Sequence, residues 1–311
     1  MESTEKVFRL ADLRAWTRSA PSFAVLGKPI AHSLSPKMHN AAFAHFHEEK
    51  FRTTTFADCA YFRFEIAPEE LSVALPLFLE KNFFGLNLTI PHKVAVLPLL
   101  EKMTRGASLA GAANTLARTE NGRGWLGGNT DGGGFAHAAE SRFGRSLAGA
   151  NVVLLGAGGA ARAIAVAALS KNCASLTVAN RSRDRAEKLV ADLRANFSSA
   201  KIFVRGEFSS EEKNPLPPCA LVVNATPLGL KPDDASPLPP EFLSAQNAVF
   251  DTTYGAQESA LVAAARRVAA PAANGLPMLA GQGALAFSAW TGMPAEKVFP
   301  VMLDALGVAE K

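Results

Sequence analysis

Cysteine is scarce in this sequence of 311 residues. The three cysteines, Cys59, Cys173 and Cys219, are odd in number and lie far apart along the chain. Such spacing argues against a disulfide framework and against a CxxC metal site. We therefore interpret all of them as buried thiols.

Long apolar runs are also missing. No run reaches the roughly 20 residues that a membrane-spanning helix needs. Residues 1–23 carry charges throughout and do not contain the apolar core of a secretory signal. We expect a cytoplasmic protein that does not associate with membranes.

The sequence has no basic tail or stripe, because its net charge of +4 comes from scattered Lys and Arg. Nucleic acid is therefore not predicted as a partner, whereas small anionic ligands suit a mild positive excess. Hydrophobic residues form 48% of the chain, enough to bury a core in each of about two domains.

Apolar strand patterns alternate with helical patterns along the chain, which predicts crossover units and mainly parallel sheets. Asn121 and Gly122 indicate a tight hairpin turn near 112–130. Ser35 with Pro36 predicts a helix start with a capping hydroxyl. The predicted strands span 22–30, 52–58, 85–90, 151–155, 175–180, 201–205, 220–226 and 248–254, and the predicted helices span 35–46, 68–81, 183–195, 278–291 and 295–306.

The strand "NVVLL" runs directly into "GAGGAA" and then into a helical pattern. This is the context of a dinucleotide-binding turn, in which Gly156 allows the tight turn and Gly158 lets the backbone approach a pyrophosphate. Ala161 takes the third small position, and the first N–H groups of the helix would hold the phosphates. The alternative is a glycine turn that only packs.

An acidic residue that would hold the ribose 2′-hydroxyl of NAD is missing at the end of the next strand. The strand ends at Asn180 and is followed by Arg181, Ser182, Arg183 and Arg185. Guanidinium groups can bind a 2′-phosphate. We predict NADP rather than NAD, although arginines also line ordinary solvated helix starts.

Hydride chemistry needs a group that moves a proton on the substrate. Lys93 in "NLTIPHK" and Asp131 at the start of "DGGGFAHAAESRF" are the candidates, because each stands at the end of a predicted element. On pattern alone, Lys93 is also typical of a solvated strand end and Asp131 of a helix cap. Within "NLTIPHK" we expect Leu88 and Ile90 to face the core.

Three histidines, His39, His45 and His47, lie close together in the sequence. No acidic or cysteine residue follows at a spacing that completes a metal site. We predict no bound metal.

Eight motifs occur in one order: "AHSLSPKMHN", "NLTIPHK", "GAANT", "GGNTDG", "LLGAGGAAR", "ANRS", "NATPLG" and "GLPMLAGQGALAF". In order and spacing they resemble the shikimate dehydrogenase family over about residues 22–306. The resemblance implies a two-domain α/β fold, with a substrate domain of residues 1–130 plus 275–311 and an NADP-binding Rossmann domain of residues 131–274. It also implies reversible NADPH-dependent reduction of 3-dehydroshikimate to shikimate, a step toward chorismate and the aromatic amino acids. We expect a monomer or homodimer with this small molecule as its substrate.

The resemblance also implies a role for individual residues. Lys93 and Asp131 would be the acid-base pair. The implied substrate contacts are Ser33, Ser35, Thr89, Asn114, Tyr254 and Gln282. The implied cofactor contacts are Gly156, Ala157, Gly158, Gly159, Ala160, Asn180, Arg181, Ser182, Arg185, Thr252 and Gly275.

Two other functions are compatible with the same motifs. A quinate or mixed quinate/shikimate dehydrogenase would tend to carry Thr at the position of Ser35 and to prefer NAD. A non-catalytic sensor of the same metabolites would be expected to lose Lys93 or Asp131, and both residues are present. We therefore favour the hypothesis of a shikimate dehydrogenase.

Overall fold

The computed structural model describes residues 6–209, 211, 216–231, 233–255 and 257–308. It divides the chain into two compact units, which we call the first unit (Met1–Thr130 with Ala280–Glu310) and the second unit (Asp131–Leu279). In the part of the chain that is described, no helix is long and apolar enough to cross a membrane.

Short strands and helices alternate along both units. The strands are β1 Val7–Arg9, β2 Ser22–Gly27, β3 Lys50–Phe51, β4 Thr54–Thr55, β5 Ala60–Glu65, β6 Phe83–Leu88, β7 Lys102–Met103, β8 Thr115–Arg118, β9 Trp125–Gly128, β10 Asn151–Leu155, β11 Ser175–Ala179, β12 Ile202–Arg205, β13 Leu221–Asn224, β14 Ala248–Asp251 and β15 Ala272–Ala273. The helices are α1 Leu10–Arg14, α2 Ser35–His45, α3 Leu71–Glu80, α4 His92–Ala95, α5 Arg105–Ala110, α6 Asp131–Phe143, α7 Gly159–Ser170, α8 Arg183–Asn196, α9 Ala260–Arg267, α10 Leu276–Thr291 and α11 Ala295–Ala305.

The first unit is built on a mixed sheet with strand order β1-β5-β2-β6-β8-β9-β7. Strands β1, β5, β2 and β6 are parallel. Strand β8 pairs antiparallel with both β6 and β9, so the hairpin predicted around Asn121 and Gly122 is confirmed.

The segment before the predicted first strand completes this sheet. Its β1 pairs with β5 at the edge, and the side chains of Phe8 and Trp16 are buried in the core. Trp16 packs edge-on against Phe62, with 5.0 Å between the ring centroids. Burial of aromatic area of this kind stabilises the edge strand.

The predicted strand over 52–58 is wrong. The threonine-rich stretch favours extended structure by composition, but the chain there forms the hairpin β3–β4 and then a short 3₁₀ turn over Phe56–Asp58. The Thr54 hydroxyl donates to the Asp58 carboxylate at 2.5 Å, a local bond that favours the turn. The sheet strand is the following segment, β5.

The second unit carries a six-stranded sheet of order β12-β11-β10-β13-β14-β15. All of its pairings are parallel. Helices α6 and α7 pack closely at Gly132, where a Cβ would lie 2.5 Å from the carbonyl oxygen of Ala163. The expected α/β fold class, with a Rossmann-type unit, is confirmed.

The cysteines do not share one environment. Cys59 is buried and Cys173 is half-buried, but Cys219 is exposed. The expectation of a buried thiol is therefore wrong at Cys219, which lies just before β13 with φ +52°. Such a left-handed turn residue lies at the surface because turns reverse the chain outside the sheet.

Candidate active site

The carboxyl ends of β2 and β6 meet at one edge of the first unit's sheet. Ser33 and Ser35 follow β2, whereas Thr89 and Lys93 follow β6. The two strand ends are tied together, because the Thr89 N–H donates to the Leu26 carbonyl at 2.9 Å. The structure thus brings these predicted residues to the edge where parallel sheets bind ligands.

Asn114 lies beside this edge, just before β8, and is buried. Its amide donates to the Thr130 hydroxyl at 3.0 Å and to the Gln282 side-chain oxygen at 3.4 Å. Its own oxygen accepts from the Thr130 N–H at 2.8 Å. Two predicted substrate contacts, Asn114 and Gln282, are therefore held together through bonds that include a residue the sequence did not single out.

A buried polar chain supports Asn114 from below. The Tyr61 hydroxyl donates to Asn87 at 2.7 Å, and the Asn87 amide donates to the Thr115 hydroxyl at 3.0 Å and to the Asn114 carbonyl at 3.2 Å. Buried polar groups that satisfy one another in this way fix each other's orientation. The sequence analysis did not identify Tyr61, Asn87 and Thr115 as supports of Asn114. The only signal for this role in the sequence is that these residues are polar.

Ser35 does not cap α2. The cap position is Leu34, and Ser35 is the first helical residue with Pro36 second. The Ser33 hydroxyl instead accepts from the Ser35 N–H at 3.3 Å. The reason is geometric. A hydroxyl two residues before a free N–H, such as that of Ser33, can accept from it, whereas Ser35 already lies inside the helix as its first residue.

Lys93 stands on the short helix α4 and is half-buried. Its backbone carbonyl accepts from the Ala113 N–H at 2.8 Å. Because Ala113 directly precedes Asn114, this bond holds α4 close to Asn114 in the fold. Ile90, expected to face the core, is 76% exposed. The alternation of the strand stops at Leu88, where β6 ends, and the chain then turns at Pro91.

His39 lies at the root of the polar chain. It is fully buried and stacks on Tyr61 with 4.2 Å between the ring centroids. Neither ring nitrogen has a hydrogen-bond partner among the described residues. Burial lowers the pKa of His39 to about 3, and the nearby Asn87 amide opposes this shift without meeting hydrogen-bond geometry. The ring is neutral at ordinary pH.

The described residues contain no cluster of His, Cys, Asp and Glu able to hold a metal ion. His39 stacks in the core, and the ring of His47 approaches the backbone oxygen of Ala44 at 3.1 Å.

The glycine turn of the second unit fits a dinucleotide. Gly156 has φ +112°, and a Cβ there would lie 2.8 Å from the Ala225 carbonyl oxygen. Around Gly158 and Gly159, apart from the adjoining backbone, the described residues leave open space within 4 Å of where a Cβ would be. Helix α7 starts after Gly158 with no side-chain cap, so its first N–H groups can receive phosphate oxygens.

The segment after β11 is polar and open. Arg181, Ser182 and Arg185 are exposed, and the Asn180 amide donates to the Ser182 carbonyl at 2.8 Å. Arg183 instead forms a salt bridge along α8 with Glu187 at 2.8 Å. The structure therefore separates Arg183, used on the helix surface, from the two arginines predicted to bind the cofactor.

Thr252, Tyr254 and Gly275 lie together in the second unit. A Cβ on Gly275 would lie 2.2 Å from the Thr252 carbonyl oxygen and 3.1 Å from the Tyr254 ring. Burial raises the pKa of Tyr254, which keeps its hydroxyl protonated. Asp131 is also in the second unit, buried at the start of α6 directly after Thr130.

Predicted site residues thus fall into two groups. Six lie in the first unit: Ser33, Ser35, Thr89, Lys93, Asn114 and Gln282. Asp131, Tyr254 and all of the predicted cofactor contacts lie in the second unit. The acid-base pairing of Lys93 with Asp131 and the association of Tyr254 with Ser33 and Ser35 stay predictions.

Three family models match this chain. The shikimate dehydrogenase substrate binding domain matches residues 25–116, the shikimate/quinate 5-dehydrogenase matches residues 137–204, and the shikimate 5'-dehydrogenase C-terminal domain matches residues 275–306. The matches follow the same order as the motifs in the sequence.

Individual proteins agree with the models. The NADP(+) shikimate dehydrogenase of Symbiobacterium thermophilum is 42% identical over 86% of this chain and 88% of its own length. The shikimate 5-dehydrogenase of Thermus thermophilus, solved in complex with NADP(H) and shikimate, is 34% identical with a TM-score of 0.75 and coverage of 91% of this chain and 99% of that one.

A quinate dehydrogenase is structurally similar as well. The enzyme of Corynebacterium glutamicum, in complex with NAD, has a TM-score of 0.78 at 26% identity and covers 92% of this chain and 99% of its own. Backbone similarity therefore does not separate the two substrates, whereas sequence identity is higher with the shikimate enzymes. On the family models and these identities together, the chain belongs to the shikimate dehydrogenase family.

Proposed function

We propose that this protein reduces 3-dehydroshikimate to shikimate with NADPH, reversibly, in the biosynthesis of chorismate and the aromatic amino acids. It is an NADP-dependent oxidoreductase of its family. The observation that carries the substrate assignment is the polar edge of the first unit. Serine, threonine and lysine residues follow strands β2 and β6 there, and the hydrogen-bonded pair of Asn114 and Gln282 lies beside them. A ligand with a carboxylate and several hydroxyls needs such donors and acceptors.

The first unit would bind the substrate and the second unit the cofactor. The domain limits that we propose are residues 1–130 plus 275–311 for the substrate domain and residues 131–274 for the cofactor domain. In support, the buried polar chain lies in the first unit and the glycine turn in the second. In this arrangement Ser33 and Ser35 receive the substrate carboxylate with help from Tyr254. Thr89, Asn114 and Gln282 hold the ring hydroxyls.

When bound, the cofactor supplies the hydride. Lys93 gives a proton from Nζ to the ketone oxygen of 3-dehydroshikimate and takes one back in the reverse direction, and Asp131 orients the ammonium group. The 2′-phosphate would be bound by Arg181 and Arg185 together with Asn180 and Ser182. The pyrophosphate would lie against the backbone of Gly156, Ala157, Gly158, Gly159 and Ala160. The nicotinamide end would lie beside Thr252 and Gly275.

A spectrophotometric assay with shikimate and quinate, each against NADP and NAD, tests this function. We expect the highest kcat/KM with shikimate and NADP. Comparable or higher kcat/KM with quinate and NAD would favour the quinate dehydrogenase alternative, which the similarity to the Corynebacterium glutamicum enzyme supports. Absence of turnover together with binding of shikimate would favour a metabolite sensor.

The remaining properties are also proposals. We place the protein in the cytoplasm, without nucleic acid as partner, as a monomer or homodimer. Light scattering coupled to size-exclusion chromatography distinguishes the two assemblies, and a mass above that of a dimer would contradict both.

A further inference from the structure

Two buried polar residues end neighbouring strands of the second unit. Asn224 is the last residue of β13 and Asp251 the last of β14, and they pair in register. Their exposed fractions are 0% and 1%. Neither residue belongs to the predicted cofactor contacts, yet both lie at the carboxyl edge of the sheet, where dinucleotides bind.

Asp251 accepts four hydrogen bonds. One carboxylate oxygen accepts from the Asn224 amide at 2.9 Å and from the N–H and hydroxyl of Thr253 at 2.9 and 2.8 Å. The other accepts from the Ser259 hydroxyl at 2.6 Å. With donors on both oxygens, this arrangement suits the acceptor-only ionised carboxylate.

Every one of these donors is neutral. Among the described residues, no Lys, Arg or His forms an ion pair with Asp251. A buried charge without an opposite charge costs free energy, even when neutral donors solvate it. All four groups that face the Asp251 oxygens are donors, so the site is built for an acceptor at 251, and a carboxylate adds a negative charge to that acceptor.

The next residue in the chain is Thr252, whose carbonyl oxygen lies against Gly275. These are the two residues proposed to border the nicotinamide. The nicotinamide ring is positively charged in NADP⁺ and neutral in NADPH. A fixed negative charge on Asp251, next to Thr252 in the chain, therefore interacts differently with the two redox forms.

We propose that the charge of Asp251 selectively stabilises bound NADP⁺ over bound NADPH, an inference that rests on the proposed function. Asp251 is then a positioning and electrostatic residue that does not touch the substrate. The alternative is that it only anchors the loops after β13 and β14, in which case removing its charge would not distinguish the redox forms.

Asp251→Asn separates these roles. The new amide oxygen can accept the three bonds made at one carboxylate oxygen. The new NH₂ group can donate to the Ser259 hydroxyl oxygen, which reverses the direction of that one bond, so the variant removes the charge and keeps a polar group facing every partner. We expect the dissociation constant of NADP⁺ to rise about three- to tenfold, the scale for one charge in a medium of intermediate polarity, and that of NADPH to change less than about twofold. NADPH fluorescence titration, with NADP⁺ as competitor, measures both.

Ser259→Ala removes one hydrogen bond from the same group but keeps the charge, and should leave the ratio of the two dissociation constants as in the unmodified protein. Asp12→Asn, in the short helix α1 of the first unit, where the carboxylate pairs with Lys6, controls for loss of a charge elsewhere. If circular dichroism shows that Asp251→Asn is unfolded, Asp251→Ser is measured in its place with the same expectation.

An equal change for NADP⁺ and NADPH, or no change for either, would overturn the proposal and leave Asp251 a loop anchor. The unmodified protein separates this result from failure of the proposed function. If it binds both cofactor forms and turns over shikimate, only the inference about Asp251 has failed; if it binds neither form, the proposed function has failed as well.

Discussion

The two candidate binding edges of this molecule are built from different materials. At the edge of the first unit, side chains are proposed to bind the substrate, and they are held by a chain of buried hydrogen bonds from Tyr61 through Asn87 to Asn114. At the glycine turn of the second unit, the backbone is proposed to bind the cofactor, and side chains are absent at Gly156, Gly158 and Gly159.

This difference follows from the ligands. A ring that carries a carboxylate and several hydroxyls is recognised by donors and acceptors at fixed directions, which only oriented side chains supply. A pyrophosphate is recognised by backbone N–H groups, which requires that no Cβ stands in the way. The first edge should therefore fail when a side chain is removed, and the second when one is added.

The largest expected effect is at Lys93. Lys93→Ala should lower turnover by about 10² or more, the usual scale for a general acid-base group, with little change in KM for shikimate. Steady-state kinetics test this, with Lys102→Ala on the exposed strand β7 as a control that should keep its activity. Near-normal turnover of Lys93→Ala would remove Lys93 from its role.

Adding a side chain at Gly156 should have the next largest effect. Gly156→Ala places a Cβ against the Ala225 carbonyl at a residue with φ +112°, so we expect a loss of about 2 kcal/mol in the free energy of unfolding and weaker NADPH binding. Urea denaturation and cofactor titration measure the two quantities.

Two matched glycines sharpen this result. Gly158→Ala meets open space and should leave the unfolding free energy within about 0.5 kcal/mol while weakening NADPH binding. Gly122→Ala, at φ +69° in the hairpin turn, should cost about 1 kcal/mol of stability without changing NADPH binding. Unchanged NADPH affinity in both Gly156→Ala and Gly158→Ala would contradict backbone recognition.

The 2′-phosphate is the one part of the cofactor for which the second unit is predicted to use side chains. Arg181→Ala should raise KM for NADPH by about tenfold, the loss expected from one charge-assisted contact, and KM for NADH much less. Arg183→Ala, which breaks the exposed pair with Glu187, is the control and should affect neither. Equal increases for both cofactors in Arg181→Ala would defeat the phosphate contact.

The smallest effect concerns the pH dependence of the first unit. The pKa of His39 is about 3 in the folded state against about 6.5 when unfolded. The contribution of neutral His39 to the free energy of unfolding is therefore fully present above pH 6.5 and is lost as the pH falls toward 3. Between pH 6.5 and 5.5 the free energy of unfolding should fall by about 1 kcal/mol from this residue.

Tryptophan fluorescence reports on this unit, because Trp16, Trp125 and Trp290 all lie in it and are buried. Denaturation of His39→Phe, which keeps an aromatic ring stacked on Tyr61, should show a shallower decline over the same pH range. Identical slopes in the two proteins would mean that other groups account for the acid sensitivity.

Local patterns predicted the second unit well. Strand, glycine turn and helix from Asn151 to Ser170 form as expected, since their interactions involve neighbours in sequence. The family, fold class, enzyme class and cofactor are confirmed. The site residues and the domain limits stay predictions.

Local patterns were less reliable in the first unit. The sequence pattern predicts a sheet strand at the threonines before Asp58 and a helix cap at Ser35, and both predictions are wrong. Residue propensity carries no information about the tertiary partner that a segment finds. Strand β1, which nothing in its own sequence marked, exists because it pairs with β5 and because Phe8 and Trp16 are buried there. Its stability comes from packing rather than propensity.

Sequence patterns are enough to predict the dinucleotide turn, the alternation that makes both sheets mainly parallel, and the motifs that place the chain in its family. How the buried polar side chains are held depends on the folded chain: Asn114 meets Gln282 across 168 residues, and Asp251 is enclosed by Asn224 and Ser259. The reason is physical. A glycine turn is fixed by the conformational freedom of adjacent residues, whereas a buried polar side chain is oriented by partners that only folding brings within hydrogen-bond distance.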